Sequence, residues 1–272
     1  MKKISKIYMS LLLMFLYVPI FVLIVFSFNT TKSRTVFDGF TFDWYIRLFQ
    51  NELILKSLWN TILISVSAAT ISTILGTAAA IGINNMRKFP KAVVMNVNNF
   101  PIINPEIVTG VSLMLLFVFF AARMHFNFGF GTLLIAHITF DVPYVILNVM
   151  PKFRQMNPNL YEAAQDLGCN PFKAFFKVVL PEIMPGIVSG FLMAFTFSLD
   201  DFIISHFTSG PTSQTLPIII YSMTRRKVSP EINALSTIIF IVVVTVLVVK
   251  NIIEIRNMKK NTSLSALKRD KI

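Results

Sequence analysis

YEAAQDLGCNPFKAFFKVVLP, residues 161–181, is a polar and amphipathic island in a chain that is otherwise mostly apolar. It encodes two short helices that meet at an angle. Asn159 suits the N-cap of the first, and Glu162 falls in its first turn, where a carboxylate complements the helix dipole. Gly168 then stops the helix, because glycine tolerates the left-handed conformation of a C-terminal cap. Asn170 and Pro171 read as N-cap and first residue of a second helix, in which Phe172, Phe175, Phe176 and Val179 recur at helical spacing. One amphipathic helix lying on a lipid surface is the alternative, and Lys173 and Lys177 would suit it. That alternative explains neither the two alanines after Glu162 nor the placed glycine.

The surrounding chain is too apolar for an ordinary soluble domain: of 272 residues 54% are hydrophobic, 14% are charged and 27 are phenylalanine. It reads as an all-α integral membrane protein. The net charge of +12 is scattered between apolar runs and forms no continuous patch of the kind a nucleic-acid backbone needs. Cys169 is the only cysteine, which excludes an intramolecular disulfide and a cysteine metal cluster. Six apolar segments, near 8–28, 58–83, 99–121, 129–150, 183–205 and 233–253, are each long enough to cross the roughly 30 Å of hydrocarbon in a bilayer. An even number puts both termini on one side. The first segment follows Lys2, Lys3 and Lys6 but lacks a small-residue cleavage site, so it is expected to be retained. Lysine and arginine number 17 on the side shared by the termini and 8 on the other, which places both termini and residues 161–181 in the cytoplasm.

Between the first two spans lies an outer segment with GFTFDWY at 39–45, polar enough for a loop. Its Trp44 and Tyr45 suit either an interfacial aromatic belt or a functional role. Small residues in span two and Gly186 and Gly190 in span five let helices approach closely. Pro101, Pro105, Pro143 and Pro185 free backbone carbonyls that are tolerable only inside protein or facing water, so a polar path is expected. There is no phosphate-binding GxxxxGK[ST] loop, no HExxH and no G-x-S-x-G, and the three histidines, His125, His137 and His206, are far apart in sequence. Any energy must come from another subunit. His137 reads as a packed or hydrogen-bonded helix histidine.

The acids are more informative. Glu106, Asp141, Asp200 and Asp201 fall at membrane depth, and the expected spans hold no Lys or Arg except Lys250 near a cytoplasmic end. Unpaired carboxylates there are costly, by several kcal/mol on the order of insertion scales, and mark functional sites by default. Asp200 and Asp201 follow Ser198 and would point about 100° apart on one helix, so one lines the path while the other caps or pairs. Glu106 follows Pro105 and suits either a helix cap or a cargo contact. Asp141 suits a structural role.

The 161–181 segment resembles the EAA loop of ABC importer permeases, with Glu162, Ala163, Ala164, Asp166 and Gly168 at the motif positions and Leu180 and Pro181 closing it. DWY at 43–45, HITF at 137–140, FSLDD at 197–201 and SPEINALST at 229–237 extend the resemblance over nearly the whole chain to the polyamine branch of that family, the spermidine/putrescine importers, in its second-permease type. The resemblance implies a six-transmembrane-helix type I ABC importer permease with cytoplasmic EAA coupling helices. Its parts would be a first transmembrane helix and outer segment at 1–57, the permease core at 58–253 and a basic cytoplasmic tail at 254–272. It implies a bacterial cytoplasmic membrane location and no catalytic residue, metal or cofactor in this chain. ATP and magnesium would be bound by a partner ATPase. The implied partners are two ATPase subunits, a homologous second permease and an extracytoplasmic polyamine-binding protein. Trp44, Glu106, Ser198, Asp200 and Asp201 match positions associated with the polyamine path; Asp141 is not part of that pattern. An ABC permease for another small solute and a proton-coupled secondary transporter are the competing readings.

Overall fold

The computed structural model describes residues 2–31, 36–157, 159–226 and 230–242, together with 244, 245 and 248. Among these there is no β-strand, only an isolated bridge between Asn29 and Phe40. The chain divides into two compact units, one of Met1–Glu52 with Ser222–Ile272 and one of Leu53–Tyr221.

In the first unit, α1 (Lys2–Phe26) is apolar and exposed along almost its entire length, as a helix bathed in lipid would be. After it the chain folds around Asn29. The Asn29 side chain donates to the Val36 carbonyl at 2.8 Å and accepts from the Asp38 amide at 3.0 Å, closing a polar turn with no exposed partner needed. Phe28 stacks on Phe40 with centroids 5.0 Å apart, and Phe42 and Tyr45 pack around them. The expected outer loop therefore ends early: residues from Asp43 form α2 (Asp43–Gln50), whose first-turn aspartate suits the dipole. The apolar helix Pro230–Val242 is the described part of the sixth expected span; the rest of 233–253 includes residues outside the description.

The second unit holds most of α3 (Glu52–Asn84), then α4 (Lys88–Ile103), α5 (Glu106–Met124), α6 (Phe130–Gln155), α7 (Leu160–Asp166), α8 (Pro171–Ala174), α9 (Leu180–Asp200), α10 (Ile203–Thr208) and the start of α11 (Leu216–Arg226). Among the described residues, five helices are long and apolar enough to cross a membrane. Two of the expected spans are corrected. The third begins at Glu106, not 99, because Pro105 cannot donate an amide and pushes Asn104 into an extended conformation, which ends α4. The fifth ends at Asp200, not 205, where the chain turns extended at Asp201 before α10 restarts.

The second short helix is also not separate from that span. α8 runs through a π-helical turn, Phe175–Val179, straight into α9. Pro181 explains the wide turn, since its ring crowds the carbonyl four residues earlier and it offers that carbonyl no N–H.

The core of this unit is the face of α6 carrying Val145, Ile146, Val149, Met150 and Phe153, packed on Ala69, Ala80 and Ile83 of α3 and on Ile183 and Ala194 of α9. Val145 is the knob. Side chains added at Gly76 of α3 and Gly190 of α9 would stand 2.7 Å and 3.2 Å from it, so both helices close on it only because those positions lack a Cβ. A Cβ at Gly186 would lie 2.8 Å from the Asn148 carbonyl oxygen, a backbone atom that cannot swing away. Gly186→Ala is therefore expected to destabilise the purified protein by about 1–3 kcal/mol, whereas Gly82→Ala, with open space around it, is expected to be neutral or stabilising by up to about 1 kcal/mol. Thermal unfolding in detergent checks both, and equal midpoints for the two variants would contradict the packing account.

Candidate functional site

Two places in the second unit carry chemistry that packing alone does not explain, one at each end of α9. The first is the break after Asp200. Asp201 has left the helix (ψ 120°) and turns its carboxylate onto the next one, accepting from the Ile204 amide at 3.2 Å and the Ser205 amide at 2.6 Å. These amides open α10 and have no carbonyl partner within it, so the carboxylate serves as a helix cap.

His137, on α6, ties the break together. Its Nδ1 pairs with the Ser198 hydroxyl at 2.5 Å and its Nε2 with the Ser205 hydroxyl at 3.0 Å, with Asp201 Oδ2 at 3.5 Å from Nε2. His137, Ser198 and Ser205 are all buried. Further along, the Thr132 hydroxyl donates to the Thr208 carbonyl at 2.8 Å and anchors the far end of α10 to the start of α6. The imidazole thus spans the interruption, holding the last turn of α9 and the first of α10 to one point on α6.

Adjacent acids have opposite surroundings here. Asp201 sits where amide dipoles favour a negative charge. Asp200 is the last residue of α9, where the carbonyl end of the helix disfavours one, and it is exposed. Glu106, the first residue of α5, is likewise exposed, but at a helix start that favours it. Asp141 is fully buried one turn from His137. Trp44 belongs to the other unit: it is buried, gives its indole N–H to the Asn29 carbonyl at 2.6 Å, and has the Arg47 guanidinium over its ring at 5.2 Å. The sequence reading placed Ser198 with the two aspartates and took His137 as packed or hydrogen-bonded, as it is, but missed Ser205 and the bridging of the break by that imidazole. The spacing of His137 and Asp141, four residues apart on one helix face, was the available signal.

The second place is the elbow before α9. α7 ends in a Schellman motif: the Gly168 amide donates to the Gln165 carbonyl at 2.8 Å and the Cys169 amide to the Ala164 carbonyl at 3.1 Å. Gly168 has φ +85°, and nothing lies within 4 Å of where its Cβ would be, so conformation and not space requires glycine. Asn170 then caps α8, accepting from the Lys173 amide at 2.8 Å. Asn159 does occupy the N-cap of α7 but makes no side-chain cap bond. Ala164 and Ala174 turn inward, while Glu162, Ala163, Asp166 and Pro181 are exposed and Leu180 is half-buried. Leu167 is 88% exposed and Phe172 72%. A cavity of about 640 Å³ beside them is lined by residues including Asn84, Phe153, Tyr161 and Phe175.

Residues 72–256 match the family described as binding-protein-dependent transport system inner membrane component. The chain is 40% identical over 233 residues to the putrescine transport system permease protein PotI of Escherichia coli (strain K12), covering 83% of this chain and 81% of that one. It is 34% identical over 255 residues to the spermidine/putrescine transport system permease protein PotC of the same strain, covering 94% and 95%. Among solved structures, that of a bacterial alginate ABC transporter in complex with an alginate pentasaccharide-bound periplasmic protein matches with a TM-score of 0.69 at 19% identity, over 91% of this chain and 93% of that one. At that identity the likeness is one of fold.

Removing the imidazole strands two buried hydroxyls. His137→Ala is expected to cost about 2 kcal/mol or more, since each buried polar group left without a partner forfeits about 1–3 kcal/mol. A thermal midpoint equal to that of the unaltered protein would show that the break holds without it.

Proposed function

The chain belongs to the family of binding-protein-dependent transport system inner membrane components, with the type I ABC importer permease fold, and we propose that the cargo it passes is a polyamine, putrescine or spermidine. It is a transport component and not an enzyme. The observation that carries the cargo reading is identity of 34–40% over most of the chain to permeases named for putrescine and for spermidine with putrescine. The chemistry of the break supports it. Asp200 keeps a carboxylate at the helix end that disfavours one, with no ion pair among the described residues, and a passing ammonium would offset that cost. Glu106 is a second exposed acid, at a helix start that favours its charge. In this reading Ser198 and Asp201 hold the break in shape, and Trp44 orders the outer segment over which cargo arrives.

The work is done elsewhere. We assign ATP and magnesium to two partner ATPase subunits, with a homologous second permease completing the pore and an extracytoplasmic binding protein delivering cargo; one structural neighbour was solved with such a periplasmic protein. The lysine and arginine distribution supports cytoplasmic termini and a cytoplasmic elbow. Glu162, Ala163, Ala164, Asp166, Gly168, Leu180 and Pro181 are then the ATPase-coupling residues, and the exposed Leu167 and Phe172 supply apolar surface for the motor to grip. ATP binding closes the ATPases and moves the elbow, and α9 carries that movement to the break, as two states with different cargo affinity require.

Uptake of labelled putrescine and spermidine by the complete importer in proteoliposomes, with ATP inside and binding protein outside, tests the proposal. Both amines should enter only with hydrolysable ATP; entry of neither, with another small solute transported, would overturn the cargo assignment. Asp200→Asn should lower uptake at least about tenfold while the complex assembles in normal yield. Gly168→Val should tell on coupling: a β-branched residue at φ +85° introduces about 1–3 kcal/mol of strain at an exposed turn. Membrane yield should be retained while ATP is hydrolysed without uptake. Unimpaired uptake by Gly168→Val would remove the elbow from the coupling route.

A further inference from the structure

Asp141 is 0% exposed, and neither of its carboxylate oxygens has a hydrogen-bond partner. No Lys or Arg pairs with it among the described residues. Asp201 shows what an acid used for structure looks like in this protein: two amides and an imidazole stand around it. Asp141 has none of these, and its Pro143-containing helix gives it no amide to cap. A small apolar side chain would occupy the site without the desolvation cost.

Its place in the fold is specific. It lies one turn from His137 on α6, close to Ser198 and Asp201. The Ser198 hydroxyl pairs with His137 Nδ1 at 2.5 Å. Flanking it in sequence, Phe140 and Tyr144 of α6 form an aromatic trio with Phe197 of α9, at centroid separations of 5.2, 4.5 and 6.2 Å. An acid beside aromatic faces is the chemistry that recognises an alkylammonium group.

We propose that Asp141 is a second amine-binding subsite, occluded in this structure, that receives a cargo ammonium when the break between α9 and α10 rearranges. It deepens the polyamine reading and rests on it. Asp200 meets the cargo at the exposed side of the break; Asp141 takes an amine inside it, with the aromatic trio beside the methylene chain. A polyamine, with its charges spaced along a flexible chain, can occupy both in succession.

The complete importer tests this with two readouts. Asp141→Asn should assemble in normal yield yet take up labelled spermidine about tenfold more slowly. Uptake at the unaltered rate would overturn the proposal. The second readout uses the unaltered complex and so decides the matter even if the variant fails to assemble. Dicyclohexylcarbodiimide adds to a protonated carboxyl in an apolar site, and mass spectrometry locates the adduct. Spermidine present during ATP turnover should protect Asp141 several-fold, and sodium chloride of equal ionic strength should not. Labelling indifferent to spermidine would mean that the carboxyl holds only a proton, which also overturns the proposal. A complex that moves no polyamine at all would remove the cargo reading itself, and is recognised by the unaltered protein failing the uptake measurement.

Discussion

Two hydrogen bonds made by one imidazole on α6 hold this chain at the point where α9 is interrupted. A helix broken at membrane depth frees amides and carbonyls that lipid cannot satisfy, so the break survives only if protein groups take them up. Asp201 meets the amides of α10, and His137 holds Ser198 on one side of the gap and Ser205 on the other. The rest of the unit is arranged to bring α6 near enough for this. Glycines at 76, 186 and 190 let α3 and α9 close on α6, and Val145 fills the seam. Loosening that seam would separate the imidazole from its hydroxyls before it exposed much apolar surface.

α9 joins the two chemical regions physically. Its 21 residues span roughly 30 Å, with Leu180 at the elbow and Asp200 at the break. Packed on α6 along most of its length, it is a rod and not a tether. A displacement at one end therefore arrives at the other as rotation or translation of the whole helix, and it arrives at the place where two short hydrogen bonds, and not a continuous backbone ladder, hold the next segment.

Much of the elbow was legible in residues 159–181 because its signals are local. Gly168 adopts the left-handed conformation expected of it, and Asn170 caps as its position before Pro171 suggested. Capping at Asn159 was not realised, since the turn brings its amide to Asn157 and leaves its side chain out. Span limits were less legible. Counting apolar residues carried the third span back through Pro105 and the fifth on through Asp201, because apolar content continues where backbone geometry does not. The contrasting settings of Asp200, Asp201 and Asp141 were beyond reach of sequence for a related reason: they depend on where α9 breaks and on groups distant in sequence, such as His137 for Ser198. Trp44 showed the same limit, its indole committed to the Asn29 carbonyl within a turn that no periodicity announces.

The π-helical turn at Phe175–Val179 has a consequence for phase. A π turn accommodates one residue more than an α turn, so it rotates everything before it by about 100° relative to everything after it. Without it, the exposed face of α8 and the face that α9 presses on α6 would be out of step. Phe172 and the inward Ala174 would each be turned by about one residue's step around the helix relative to Ile183 and Gly186. A residue count between Gly168 and Ser198 is thus a gear ratio: losing one residue within that turn would leave every contact on α9 in place and aim the elbow in another direction.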